Sequence, residues 1–334
     1  VFRCSEGSWS VLGSALNGVA SEDYFGTSVS LSDDGTRVAI GAPFHGAGDT
    51  GQVRVFEYSG GSWTLMGSAI DGEDSGERFG GAVAISGDGS TVVMAAPYND
   101  DARTDRGEVR VHRWDSGTSS WVRRGTADLA GEANQDRLGY SVDISRDGSI
   151  IAAGARDNDG TGINAGHVRV YSFNTGTSQW DQRGSDIDGE AAGDRAGSSV
   201  SLDATGDVLA LGAPKNDNGG TATDAGHTAV YAWDSGTSDW VQRGSDIDGA
   251  AGDDSGTSVS LNAAGTSVLV GSPGNNSDAG SANLYAWNGT AWATSAPTRF
   301  GTAGDRAGNA VSLSGDGNTV SVGLPENNAG GSNA

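Results

Sequence analysis

The chain has 334 residues, a formal net charge of −23, 56 glycines, one cysteine and 35% hydrophobic residues. So acidic a balance excludes nucleic acid and anionic membrane as partners, and favours divalent cations, cationic partners or a salty medium. Lone Cys4 excludes an internal disulfide framework, and no run approaches the roughly 20 apolar residues of a spanning helix, so membrane insertion is not expected.

In chain order, the first unit reads as four short β-like runs over residues 9–16, 26–32, 37–42 and 52–58. Alternation is visible in Val29/Leu31, Val38/Ile40 and Val53/Val55. Between the second and third runs stands Asp34-Gly35, a hairpin signal because tight turns need positive φ. The unit then recurs. Trp9, Trp63, Trp121, Trp180, Trp240 and Trp292 are spaced by 54, 58, 59, 60 and 52 residues. A second marker keeps step: Gly41-Ala42-Pro43, Ala95-Ala96-Pro97, Gly154-Ala155-Arg156, Gly212-Ala213-Pro214, Gly271-Ser272-Pro273 and Gly323-Leu324-Pro325. Four antiparallel strands repeated at this period describe the blades of a propeller, so the expected fold is all-β, one domain spanning residues 1–334.

A third element stands before the second run of each unit: Phe25-Gly26 and Phe79-Gly80, relaxing to Leu138-Gly139, Ala196-Gly197 and Ala307-Gly308. With the Gly-Ala-Pro runs and the Gly-x-Val strands starting at Gly51, Gly107 and Gly166, the chain resembles the FG-GAP repeat family of integrin-α-type propellers. The likeness is to the short variants found in surface proteins of marine microbes and protists. The resemblance implies that the Phe-Gly run starts the innermost strand and the Trp run is outermost. The chain would then begin partway through a blade. Residues 331–334 match 280–283 in register, so the expectation is a six-bladed ring whose last blade is closed by N-terminal strands. A longer or seven-bladed array is the alternative.

That strand order puts the loops entering each innermost strand on one face with the long loops after Gly-Ala-Pro, and most carboxylates fall there. Oxygen-rich loops suit Ca²⁺, which takes six to eight oxygen ligands. The candidate ligands are Asp71, Glu73, Asp74, Asp100, Asp101, Asp157, Asp159, Asp186, Asp188, Asp246 and Asp248. The competing reading is a solvated acidic face with local arginine pairs; Glu77-Arg78, Asp136-Arg137, Asp194-Arg195 and Asp305-Arg306 read as inter-blade salt bridges or turn caps. The integrin calcium hairpin, Asp-x-Asp-x-Asp-Gly, has no counterpart in Ser32-Asp33-Asp34-Gly35 or Ser86-Gly87-Asp88-Gly89, so those family sites do not carry over.

The repeated tryptophans suit inter-blade packing better than sugar stacking. Cys4 stands at the strand position of Tyr58, Trp114, Phe173, Trp233 and Trp287, where a buried thiol is expected. His45, His112, His167 and His227 show no metal-ligand spacing, and no nucleophile elbow, phosphate loop or His-Glu-x-x-His motif is present. Asn275 and Asn288 open glycosylation triplets in expected loops. The leading expectation is a non-enzymatic extracellular or cell-surface adhesion propeller that binds a protein or glycan through the acidic long-loop face, with calcium as candidate cofactor. A structural subunit of a surface assembly is the alternative, and a polysaccharide-active enzyme comes third.

Overall fold

The computed structural model describes residues 1–327 apart from 6, 102, 299 and 300. Each alternating unit folds into one antiparallel sheet whose four main strands lie in up-and-down order. Blade 1 comprises Ser28–Leu31, Arg37–Ala42, Gln52–Ser59 and Ser62–Leu65. Blade 2 comprises Ala82–Ile85, Thr91–Ala96, Glu108–Asp115 and Ser120–Arg123. Blade 3 comprises Ser141–Ile144, Ile150–Ala155, His167–Asn174 and Gln179–Gln182. Blade 4 comprises Ser199–Leu202, Val208–Ala213, His227–Asp234 and Asp239–Gln242. Blade 5 comprises Ser258–Leu261, Ser267–Ser272, Ser281–Trp287 and Trp292–Thr298. Two two-stranded pieces flank them: Phe2–Ser5 with Ser8–Val11, and Val311–Leu313 with Val320–Val322.

Burial follows position in the sheet. The second strands of blades 2 to 4, such as Thr91–Ala96, are buried along their whole length because neighbouring blades cover both faces. Outermost strands are covered on one side and remain largely exposed. In blades 1 to 4 the chain comes back as a two-residue strand, for example Ile187–Asp188, which pairs with the start of the third strand at His167↔Asp188.

One interface design recurs between successive blades. The outer indole N–H donates to a backbone carbonyl of the preceding unit: Trp63 to Leu12, Trp121 to Met66, Trp180 to Arg124, Trp240 to Arg183 and Trp292 to Arg243, all at 2.7–2.9 Å. These five tryptophans therefore pack between blades as expected. Glycine does the equivalent work near the axis. A Cβ on Gly212 would lie 1.9 Å from the Gly256 carbonyl oxygen, and one on Gly154 would lie 2.0 Å from that of Gly197. Gly-Ala-Pro and the following Phe-Gly-type element are thus two halves of one backbone contact across the interface.

The Asp-Gly hairpins form as the sequence implied, with Asp34, Asp88 and Asp147 each accepting the N–H two residues on. They also link blade to blade through backbone bonds: Asp33 to Gly87, Gly87 to Arg146, Arg146 to Ala204, Ala204 to Ala263 and Ala263 to Gly315. Six side chains, Leu31, Ile85, Ile144, Leu202, Leu261 and Leu313, line a channel of 580 Å³ at this end.

Among the described residues the links stop at Gly315, and no bond returns to Asp33. Val29 and Leu31 are 63% and 49% exposed, whereas their counterparts Val83 and Ile85 are 8% and 6% exposed beneath a preceding blade. The described residues therefore form a propeller-like array that is not closed. The reason is local: Phe2–Ser5 pairs only with Ser8–Val11 among the described residues, and the residues expected to bridge the seam, 331–334, lie outside them. Cys4 and Trp9 are exposed for the same reason, correcting the expected buried thiol.

Candidate functional site

The long-loop face is built from backbone upward. Each loop after the second strand is stitched to the loop entering the next blade: Arg78 N–H donates to the Asp49 carbonyl, Arg137 to Asp105, Arg195 to Asn164, Asp254 to Asp224 and Arg306 to Asp278. Both partners of each bond hold positive φ, a conformation costly for a residue with a Cβ and recurring here at every junction.

Carboxylates of the acidic-Arg dipeptides cap these turns. Asp136 Oδ2 accepts the N–H groups of Glu132 and Ala133, and Asp194 Oδ2 accepts that of Ala191 and the side-chain amide of Asn216. Asp305 caps Thr302 in the same way. Glu77, Asp136 and Asp194 are almost wholly buried, so the turn-cap reading holds.

The candidate ligands fall into two groups. Several are consumed by local partners: Asp71 accepts from Gln52, Asp100 from the Asp105 N–H and Asp159 from the Asn164 N–H. Asp157 is a buried hub for three arginines, Arg137 at 2.9 Å, Arg156 at 3.3 Å and Arg195 at 3.8 Å. Those cations occupy the place a metal would take. Asp74 and Asp101 do meet: the Asp101 hydrogen bond, followed by burial and the Asp101 charge, raises the Asp74 carboxyl. Asp188 and Asp248 are exposed on the short return strands.

The second group gathers beside the third strand of each blade. In blade 2, Arg110 is 3% exposed and reaches Glu77 at 3.2 Å, Glu73 at 3.5 Å and Glu108 through its Nε. Burial pushes the Glu108 carboxyl up to about 7 against the pull of Arg110. In blade 3, Arg169 pairs with Glu132 and, at 2.8 Å, with Asp186. Burial favours the neutral acid at Asp186, but the Arg169 hydrogen bond and charge bring its carboxyl below the ordinary value. Among the described residues, two sets of metal-capable atoms lie within 4.8 Å of one another: Glu132, His167 and Asp186, and Glu190, His227 and Asp246. The histidines had no ligand spacing along the chain; the blades bring each to a glutamate and an aspartate. The signal was available in the repeat columns, where Glu132 and Glu190, His167 and His227, and Asp186 and Asp246 align.

At the axis of this face the charge reverses. A pocket of 160 Å³ is lined by Arg156, Arg195, Lys215 and Arg306, with Asp254 and Tyr140. Lys215 is engaged by Asp254 at 2.6 Å, and Arg156 lies over the Tyr140 ring at 3.8 Å. Among the described residues, Arg195 and Arg306 have only distant ion partners, Asp157 and Glu326, each at 3.8 Å. Reading the face as uniformly acidic missed this cationic mouth. Arg195 and Arg306 belong to the recurring acidic-Arg column, Arg156 and Lys215 follow second strands, and only the blade geometry makes them converge.

Of the glycosylation candidates, Asn288 lies in an exposed turn between the third and outermost strands of blade 5, its Oδ1 accepting from Thr290 and Ala291. Asn275 stands in a short turn rather than an open loop, and its amide donates to Asp253 at 3.0 Å, which ties up the nitrogen a glycan would use.

The family model for the FG-GAP repeat matches residues 16–56, the span carrying Phe25-Gly26 and Gly41-Ala42-Pro43. The chain carries an FG-GAP repeat there. No curated protein matches the chain. Two solved structures resemble it in fold. A Bacteroides uniformis protein provisionally named a 6-phosphogluconolactonase shares 13% identity at a TM-score of 0.65, covering 96% of this chain and 82% of its own. One from Bacteroides fragilis, named likewise, shares 14% at 0.59, covering 97% and 82%. The expectation that the chain is not an enzyme is corrected by these structures: the repeats build an architecture shared with proteins named as lactonases, so missing sequence motifs do not exclude catalysis. Among the described residues, no helix is long and apolar enough to cross a membrane.

Proposed function

We propose that this chain is an extracellular or cell-surface binding propeller that takes an acidic glycan or acidic protein segment at its long-loop face. The observation that carries the reading is the convergence of Arg156, Arg195, Lys215 and Arg306 on one axial pocket. Guanidinium groups with spare donors suit a carboxylate, sulfate or phosphate, which they hold in a bidentate fork. The acidic rim around the mouth supplies specificity by repelling ligands whose anionic groups do not reach the axis. Calcium at that rim remains part of the proposal, with Asp74 and Asp101 as the pair it would relieve.

Binding of uronate-bearing and sulfated glycans, measured on an array and then by calorimetry with and without chelator, tests the proposal. The double variant Arg195→Ala/Arg306→Ala is expected to lose binding at least tenfold. No binding by the parent chain, or undiminished binding by the variant, overturns it. A second reading is hydrolysis of a phosphorylated sugar lactone, favoured by the same cationic pocket and by the names of the fold relatives. Turnover of such a lactone, lost in the same variant, would select it.

The proposal includes a six-bladed ring, with Phe2–Ser5 and Ser8–Val11 completing the sheet begun by Val311–Leu313 and Val320–Val322. The bare Val29 and Leu31 support closure, and they suit a second copy equally in an assembly. Cysteines introduced at Asp33 and Gly315, with Cys4→Ser, should form an intramolecular disulfide. A disulfide-linked dimer instead would select assembly, and failure to form either would overturn both.

A further inference from the structure

The metal-capable clusters of blades 3 and 4 differ in one column of the repeat. Two residues into the third strand, blades 2 and 3 carry Arg110 and Arg169, whose guanidinium groups sit among the carboxylates. Blade 4 carries Ala229 there, buried and without charge. Its two carboxylates keep their places and lose their cation. Glu190 accepts only a 3.4 Å bond from Asn216, and Asp246 one of 2.7 Å from Gln242. Between them lies the His227 ring, 4% exposed, which makes no hydrogen bond or ion pair among the described residues. A buried imidazole without a partner costs free energy that a ligand would recover.

We propose that Glu190, His227 and Asp246 bind a divalent transition-metal ion in blade 4, zinc foremost, with water completing the coordination. The donor set decides the class. One imidazole with two carboxylates suits zinc and its first-row neighbours, whereas calcium and magnesium take oxygen alone and copper(I) takes sulfur. Donor atoms on a tetrahedral zinc stand about 3.4 Å apart, given metal–ligand bonds near 2.1 Å. The three atoms, within 4.8 Å of each other, reach that spacing by rotamer adjustment of exposed Glu190 and half-buried Asp246. In blade 3, Arg169 already pairs with Glu132 and Asp186, so both carboxylates of that cluster are engaged.

The experiment is calorimetric titration of the chelator-treated full chain with Zn²⁺, with Co²⁺ absorption as a ligand-sensitive readout and Ca²⁺ as the comparison. One equivalent of Zn²⁺ should bind and raise the unfolding temperature. His227→Ala should weaken uptake at least tenfold, Ala229→Arg should abolish it by installing the cation of blades 2 and 3, and His167→Ala should leave it unchanged. Asp246→Asn replaces either loss variant if circular dichroism shows misfolding. No stoichiometric uptake by the parent chain, uptake unaffected by the blade 4 substitutions, or uptake lost in His167→Ala would each overturn the assignment. Glycan binding at the axial pocket is measured separately, so failure of one proposal leaves the other standing.

Discussion

Replacing Arg110 with methionine keeps an unbranched side chain in blade 2 and removes the one cation that Glu73, Glu77 and Glu108 share. Glu77 and Glu108 are 1% and 2% exposed, so water cannot replace it. Breaking a buried ion pair from one side costs about 3–5 kcal/mol. An unfolding entropy of roughly 2.1 cal/mol/K per residue gives about 0.7 kcal/mol/K for the chain, so a 4 kcal/mol loss lowers the unfolding temperature by about 6 °C. The pH dependence has a definite sign. Burial holds the folded carboxyl of Glu108 at about 7, above the ordinary glutamate value of 4.5, so the native state binds that proton more tightly than the unfolded chain does. Its cost is therefore full above pH 7 and fades as pH falls towards 4.5. Without Arg110 the folded value rises further, so Arg110→Met should lose more stability at pH 8 than at pH 5. Thermal and urea unfolding followed by circular dichroism at both values measures this. A loss under about 1 kcal/mol at pH 8, or one independent of pH, refutes the reasoning.

The remaining predictions concern the interfaces and the channel. Trp180→Phe keeps the ring but deletes the 2.7 Å bond to the Arg124 carbonyl, and should cost about 1–3 kcal/mol in urea unfolding. Gly212→Val should destabilise by about 3 kcal/mol or more, because its Cβ meets the Gly256 carbonyl. Ala95→Gly should be mild, since that blade already accommodates a methyl group there. Asp143, half-buried in the channel wall, is held at about 6 by burial. Serine stands at the equivalent place in Ser30, Ser201 and Ser260 and accepts the same kind of inter-blade N–H. Because the folded value lies above the unfolded one, the charged form costs stability above pH 6 and nothing below about pH 4. Asp143→Ser should therefore stabilise the chain by about 1–2 kcal/mol at pH 8 and give no gain at pH 3.5.

Within one blade, the sequence by itself determined most of what forms. Val29/Leu31, Val38/Ile40 and Val53/Val55 alternate at period two, Asp34-Gly35 supplies a positive-φ turn, and register follows because a one-residue slip would turn the apolar set to the wrong face. These are interactions between residues a few positions apart, so the chain restates them from repeat to repeat. The Trp and Gly-Ala-Pro positions were equally legible, since repetition exposes whatever every interface needs. What only the tertiary structure decided is pairing across blades. Arg110 meets Glu77 from 33 residues away. Arg156, Arg195, Lys215 and Arg306 become one pocket only because successive blades turn about a common axis. The carboxylates assigned to calcium were sorted by the same geometry: Asp157 went to three arginines, Asp186 to one, and Asp246 to a cluster whose arginine position is Ala229. Charge on a repeat can be counted along the chain, but its partner belongs to the next strand or blade. That distance in sequence hides the site, and the open seam at Val29 and Leu31 has the same origin, because no local pattern records whether the ring meets its own beginning.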